Sequence, residues 1–170
     1  MLNLSHKVIK GLSNSQIAKN ETNDCFVRAL AAATGQDYDT AHKVASINFN
    51  RDHKKGVSIT DLEDTMIKAQ ETGLEVGNTV YGIKKLKGMR VKNYYRLYGK
   101  DVARKKSVKS FMKDNPKGSF IVTVSKHAFA VIDGKLVDNK GEEFRPTRKV
   151  TSAYMVTKPE LYGKQLQLWG

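Results

Sequence analysis

Cys25 is the only cysteine in the chain, so it can form neither an intrachain disulfide nor a zinc site built on several thiolates. The thiol is therefore inert, oxidisable or catalytic. Thr22, Asn23 and Asp24 are helix-capping types, and Phe26, Val27, Leu30, Ala31 and Ala33 follow at helical spacing until Gly35. This pattern predicts a helix that opens at or just before Cys25. A helix N-terminus offers a thiolate partial positive charge and unpaired N–H groups that can hold an oxyanion. Thiol catalysis also needs an imidazole, to form an ion pair and protonate the leaving group, and a third group to orient the ring. His127, at the head of a predicted strand, fits the imidazole role.

The orienting group follows from a turn. Residues 119–125 and 127–132 are β-branched and aromatic, Asp133-Gly134 is a favoured two-residue hairpin loop, and 135–139 return as a strand. With that loop Ile132 faces Lys135, Val131 faces Leu136, Phe129 faces Asp138 and Ala128 faces Asn139. Side chains alternate, so His127 shares a face with Phe129 and with Asp138, its diagonal neighbour at about 7–8 Å between backbones. Asp138 is the predicted orienter, and a loop one residue different in length hands the role to Asn139. Each residue taken alone also has a plain structural reading. A cysteine beside Ala29 and Ala32 can be a packed core thiol, and a histidine at a strand start a surface or capped residue. A thiol at a helix start, then a histidine at a strand start, then a carboxylate one hairpin away, is the more specific conjunction.

Further elements must position these groups. Helices are predicted over 38–47 and 59–70, separated by a polar loop, and a short one over 107–114 before the turn Asn115-Pro116-Lys117-Gly118. Another strand is predicted over 150–156; residues 71–106 and 159–170 give no clear element. Helices first and an antiparallel sheet afterwards is an α+β order in one domain, residues 1–170.

The chain has 170 residues, 39% of them hydrophobic, with 30 Lys+Arg against 17 Asp+Glu, a formal charge of +13. No run approaches the roughly 18 apolar residues of a membrane-spanning helix. The start, Met1 to Val8, lacks a basic-then-apolar leader, so a cytoplasmic monomer with no membrane partner is expected. Residues 84–113 hold twelve basic residues against the single acid Asp101, a balance of +11 that leaves +2 for the other 140. The basic positions include Lys84, Lys85, Lys87, Arg90, Lys92, Arg96, Arg104, Lys105 and Lys106, with Tyr94, Tyr95 and Tyr98 among them. This mixture suits nucleic acid, by phosphate neutralisation and base stacking, and equally an acidic protein. A solvated lysine-rich surface is the plain alternative.

Asn23-Asp-Cys-Phe-Val-Arg-Ala-Leu30 and Gly118-x8-His127-Ala-Phe-Ala-Val-Ile-Asp-Gly134 together resemble the papain-like cysteine peptidases. The nearer likeness is to small phage-encoded members, the more distant one to bacteriocin-processing peptidases. It covers residues 20–50 and 105–156 and leaves the basic segment 84–113 as an insertion. The resemblance implies helices whose first member carries the nucleophile, packed on a C-terminal antiparallel sheet that carries His and Asp or Asn. It implies Cys25 as nucleophile, His127 as general base and acid, Asp138 as orienter, a protein or peptide substrate, and no cofactor. A phage origin would place the protein in the host cytoplasm, directed at a host or defence protein. The family usually has an oxyanion glutamine about six residues before the cysteine, where this chain has Lys19; Asn20 or Asn23 is the expected substitute. Two other functions stay open: thiol transfer or deamidation with the same triad, and a non-catalytic binding protein gripping its partner through the basic segment.

Overall fold

Asp24 and Gly35 bracket the helix that carries Cys25. A computed structural model describes residues 9–138, 145 and 147–159, and the side chains of these apart from 90–97 and 100–103. After a short α1, Gln16–Lys19, helix α2 runs Cys25–Thr34. Gly35 ends it at φ 71°, its N–H donating to the Ala31 carbonyl at 2.9 Å, a left-handed conformation that glycine adopts freely. All of α2 beyond Cys25 is buried except Arg28, so it is a central helix whose small residues allow close packing on several sides.

Helix α3, Tyr38–Asn48, starts where the Asp37 carboxylate accepts from the Thr40 N–H at 2.8 Å. Helix α4, Ile59–Thr72, is capped by Ser58, and the short α5, Val108–Asp114, by Ser107. Each cap meets an N–H that the helix itself leaves unpaired. These helices lie close to their predicted spans.

Six strands form one antiparallel sheet: β1 (Leu74–Val76), β2 (Thr79–Lys85), β5 (Ser119–Val124), β6 (His127–Ile132), β7 (Lys135–Val137) and β8 (Ser152–Thr157), in the order β1-β2-β8-β5-β6-β7. Strands β3 (Arg90–Leu97) and β4 (Lys100–Lys105) pair only with each other. Four of these strands fall in the stretch where the sequence pattern shows no element. The basic run is spread over β2, β3, β4 and α5. Lys84 and Lys85 lie in β2, paired with Met155 and Tyr154 of β8, and Lys109 and Lys113 lie in α5.

The sheet separates two apolar cores. On one side α2, α3 and α4 pack against Ile121, Ala128, Ala130 and Tyr154. On the other, Val108 and Phe111 of α5 meet Phe120, Val122, Phe129, Val131 and Ala153, with Phe111 edge-on to Phe120 at 5.4 Å. Leu30, wholly buried, belongs to the first core; truncating such a side chain to alanine costs about 2–5 kcal/mol. The protein is therefore α+β, and among its described residues no helix is long and apolar enough to cross a membrane.

Candidate active site

The chain enters α2 through Asn23, at φ 54°, and Asp24. Asp24 occupies the N-cap position without capping. Its carboxylate accepts from Tyr38 Oη at 2.8 Å and Arg28 Nε at 3.0 Å. Among the described residues no side chain caps α2, and its first N–H groups face a charge at Cys25.

Cys25 is half-buried at this helix start. Burial pushes its thiol up, but a hydrogen bond from the His127 ring, the N–H groups of Ala128 and Phe26 and the charge of the imidazole outweigh that, and the net shift is downward. His127 opens β6 directly after the two-residue turn Ser125-Lys126 and is buried. Its Nε2 lies 2.7 Å from Asp138 Oδ1. A carboxylate can only accept, so Nε2 carries the hydrogen and Nδ1 is left for the thiol. Burial pushes the imidazole down, yet Asp138 and Cys25 together raise it to about 9. Asp138 itself is buried, and its Oδ2 has no hydrogen-bond partner among the described residues.

The hairpin behaves as its turn predicts. Ile132 pairs with Lys135, Val131 with Leu136 and Ala130 with Val137, with Asp133 and Gly134 at φ 49° and 75°. That register sets Asp138 on the face of His127. Asn139 lies outside the described residues.

A cleft of about 330 Å³ opens beside the thiol and imidazole, walled by Phe26, Gly56, Val57, Ile59, Leu62, Thr123, Val124, Lys126 and Ala128. Its lining is mostly apolar, and Lys126 adds a cation near the imidazole.

The expected side-chain donors to an oxyanion are engaged elsewhere. Asn20 Nδ2 donates to the Gln16 carbonyl at 3.1 Å and Asn23 Nδ2 to the Lys54 carbonyl at 3.0 Å. Each amide commits one of its two hydrogens to a local turn or loop contact, and the main-chain N–H groups at the start of α2 are further candidate donors. Of the basic positions, Arg104 and Lys105 are exposed at the end of β4 and Lys87 is exposed before β3. Lys85 Nζ stands 6.0 Å from the Tyr154 ring, and Lys106 Nζ pairs with Asp114 at 2.6 Å. Arg90, Lys92 and Arg96 are placed on β3 by backbone alone. Lys84 is exposed on β2. The described residues contain no cluster of His, Cys, Asp and Glu suited to a metal.

Sequence pattern gives no sign of two buried charges, Glu21 and Arg51, which pair with each other four residues upstream of Cys25 and across the following loop. Neither belongs to a periodic pattern or a motif.

Helices packed on an antiparallel sheet make this an α+β chain, and its sheet and α2 bring a thiol, an imidazole and a carboxylate together. Comparison with family models, with curated proteins and with solved structures finds no match to the chain.

Proposed function

We propose that the protein is a cysteine peptidase or related thiol acyl-hydrolase of papain-like design. The observation that carries the reading is the His127 ring, hydrogen-bonded to Cys25 on one side and to Asp138 on the other. The Cys25 thiolate attacks a substrate carbonyl, and the oxyanion that forms is held by main-chain N–H groups at the start of α2. His127, protonated in the ion pair, gives its proton to the leaving group as the oxyanion collapses and the bond between the acyl carbon and that group breaks, leaving a thioester. In the second half, neutral His127 takes a proton from water as it attacks the thioester, and cleavage of the carbon–sulfur bond releases the acid and restores the thiolate–imidazolium pair. Asp138 keeps the ring aligned and offsets its positive charge. The apolar cleft fits a hydrophobic side chain beside the scissile bond.

The papain-like reading is supported by the chain order of the triad and by α2, α3 and α4 lying on one face of the sheet. The likeness to phage-encoded members makes a host or defence protein the natural substrate class. Iodoacetamide tests the reading: native Cys25 reacts fast at neutral and mildly acidic pH, and Cys25→Ser abolishes hydrolysis. Labelling that waits for unfolding would exclude it.

The separate pairing of β3 with β4 favours a second role, that of a docking arm for nucleic acid or an acidic partner protein. With Cys25 idle, this arm alone would be the function. Partner binding that falls steeply with salt and ignores Cys25→Ser would identify that case.

A further inference from the structure

Glu21 is a buried charge that this chemistry does not use. Its side chain has no exposed surface, nor has that of Arg51, whose Nη2 pairs with Glu21 Oε2. His42 Nε2 lies 3.2 Å from the same oxygen, and Oε1 meets His53 Nδ1 at 2.5 Å and the Lys54 N–H at 3.1 Å. The next two residues are tied to the same loop. Thr22 Oγ1 and Asn23 Nδ2 both donate to the Lys54 carbonyl, at 3.3 and 3.0 Å, and Arg51 Nη2 donates to the Thr22 carbonyl at 3.1 Å.

The clamp joins two parts of the site. Residues 21–23 lead straight into Cys25, while the loop continues into Gly56 and Val57, which wall the cleft. A buried ion pair is a weak source of stability, because desolvating two charges offsets much of their attraction; fixing one arrangement against others is a better attested use.

We infer that Glu21 is a positioning residue: with Arg51 it holds the Gly56–Val57 wall against the start of α2, and so governs which acyl groups Cys25 can engage while leaving its reactivity alone. The inference rests on the reading of Cys25 as a nucleophile that meets its substrate in this cleft.

Two alkylating probes separate the hold on substrate from the reactivity of the thiol. Iodoacetamide is small and samples the thiolate alone, whereas tosyl-phenylalanyl chloromethyl ketone has to seat an aromatic side chain in the cleft. In Glu21→Gln the iodoacetamide rate stays within about twofold of wild type, while the chloromethyl ketone rate falls roughly tenfold or more. Because Glu21→Gln leaves Arg51 buried without its counter-charge, the double variant Glu21→Gln, Arg51→Met is measured beside it, together with hydrogen exchange at residues 52–57. Faster exchange there, with the same split between probes, is expected. Two rates that fall together in a folded variant, or that both stay unchanged, would overturn the inference. Unchanged exchange at 52–57 would overturn the clamp whatever the thiol does. A wild-type Cys25 no faster than free cysteine toward iodoacetamide would instead overturn the nucleophile reading.

Discussion

His127 turns Nε2 toward Asp138, 2.7 Å from Oδ1, and so keeps Nδ1 for the thiol of Cys25. The ring is thus a bridge with fixed ends: the carboxylate favours its protonated form, and that charge in turn favours the thiolate. The imidazole is raised to about 9 and the thiol lowered, which opens a pH window for the ion pair between them.

Alkylation of Cys25 follows from that window. The rate reaches its plateau below the ordinary thiol value of about 8.5. In His127→Ala the hydrogen bond is gone and burial, which acts the other way, remains. The rising limb then moves to or above the ordinary value, and the rate near pH 6.5 drops roughly tenfold or more. Intact-mass kinetics across pH read this directly, and identical profiles for the two proteins would refute the ion pair.

Asp138 variants separate charge from orientation. Asp138→Ala removes the main support of the imidazolium, leaving burial to pull the ring down from about 9. The descending limb of the pH–rate profile moves to lower pH, and turnover falls on the order of 10²-fold. Asp138→Asn keeps an acceptor for the Nε2 hydrogen and loses less. Equal losses in the two variants would assign the effect to charge alone.

Acid stability should report Glu21. Burial raises its pKa, but Arg51, the Lys54 N–H and His42 outweigh that and lower it below 4.5. A carboxylate lowered on folding contributes stability that is complete above its unfolded value and lost as pH falls through its folded one. Glu21→Gln therefore costs about 1–3 kcal/mol at neutral pH, where it leaves buried donors poorly matched. It also flattens the loss of stability below pH 4.5. Urea midpoints at neutral and strongly acidic pH give the comparison, and parallel acid losses in both proteins would rule Glu21 out as the cause.

The β3–β4 arm is tested by charge reversal at its exposed end. Arg104→Glu with Lys105→Glu weakens binding to a single-stranded oligonucleotide and lowers the salt slope by about 0.7 for each phosphate no longer neutralised. Hydrolysis of a small uncharged ester stays unchanged. Oligonucleotide affinity equal to wild type at low salt would count against a nucleic-acid arm and leave the acidic protein.

Much of this site is legible in local pattern. Residues of capping type before Cys25, although their side chains bond elsewhere, a glycine after Thr34 and the Asp133-Gly134 turn are short-range signals, and they place the Cys25 helix and the face shared by His127 and Asp138. β1, with three residues, is too short for its alternation to register, and in β2, β3 and β4 lysines and arginines break the alternation that marks a strand; the Tyr98-Gly99 turn, at φ 50° and 76°, resembles the Asp133-Gly134 loop. The pairing of Glu21 with Arg51 is beyond reach for another reason. It joins residues far apart in sequence through a loop without periodicity, and nothing in either neighbourhood names the other.

The place of β8 has a consequence for biosynthesis. Ser152–Thr157 lies between β2 and β5, so the last of the described strands is an interior one. Cys25, His127 and Asp138 all precede it. A nascent chain that has reached residue 150 already carries these three residues but lacks the strand joining the two sides of the sheet. Vectorial synthesis thus delays completion of the frame until Cys25, His127 and Asp138 have all been made, so the three residues meet in a finished sheet only after the last interior strand arrives.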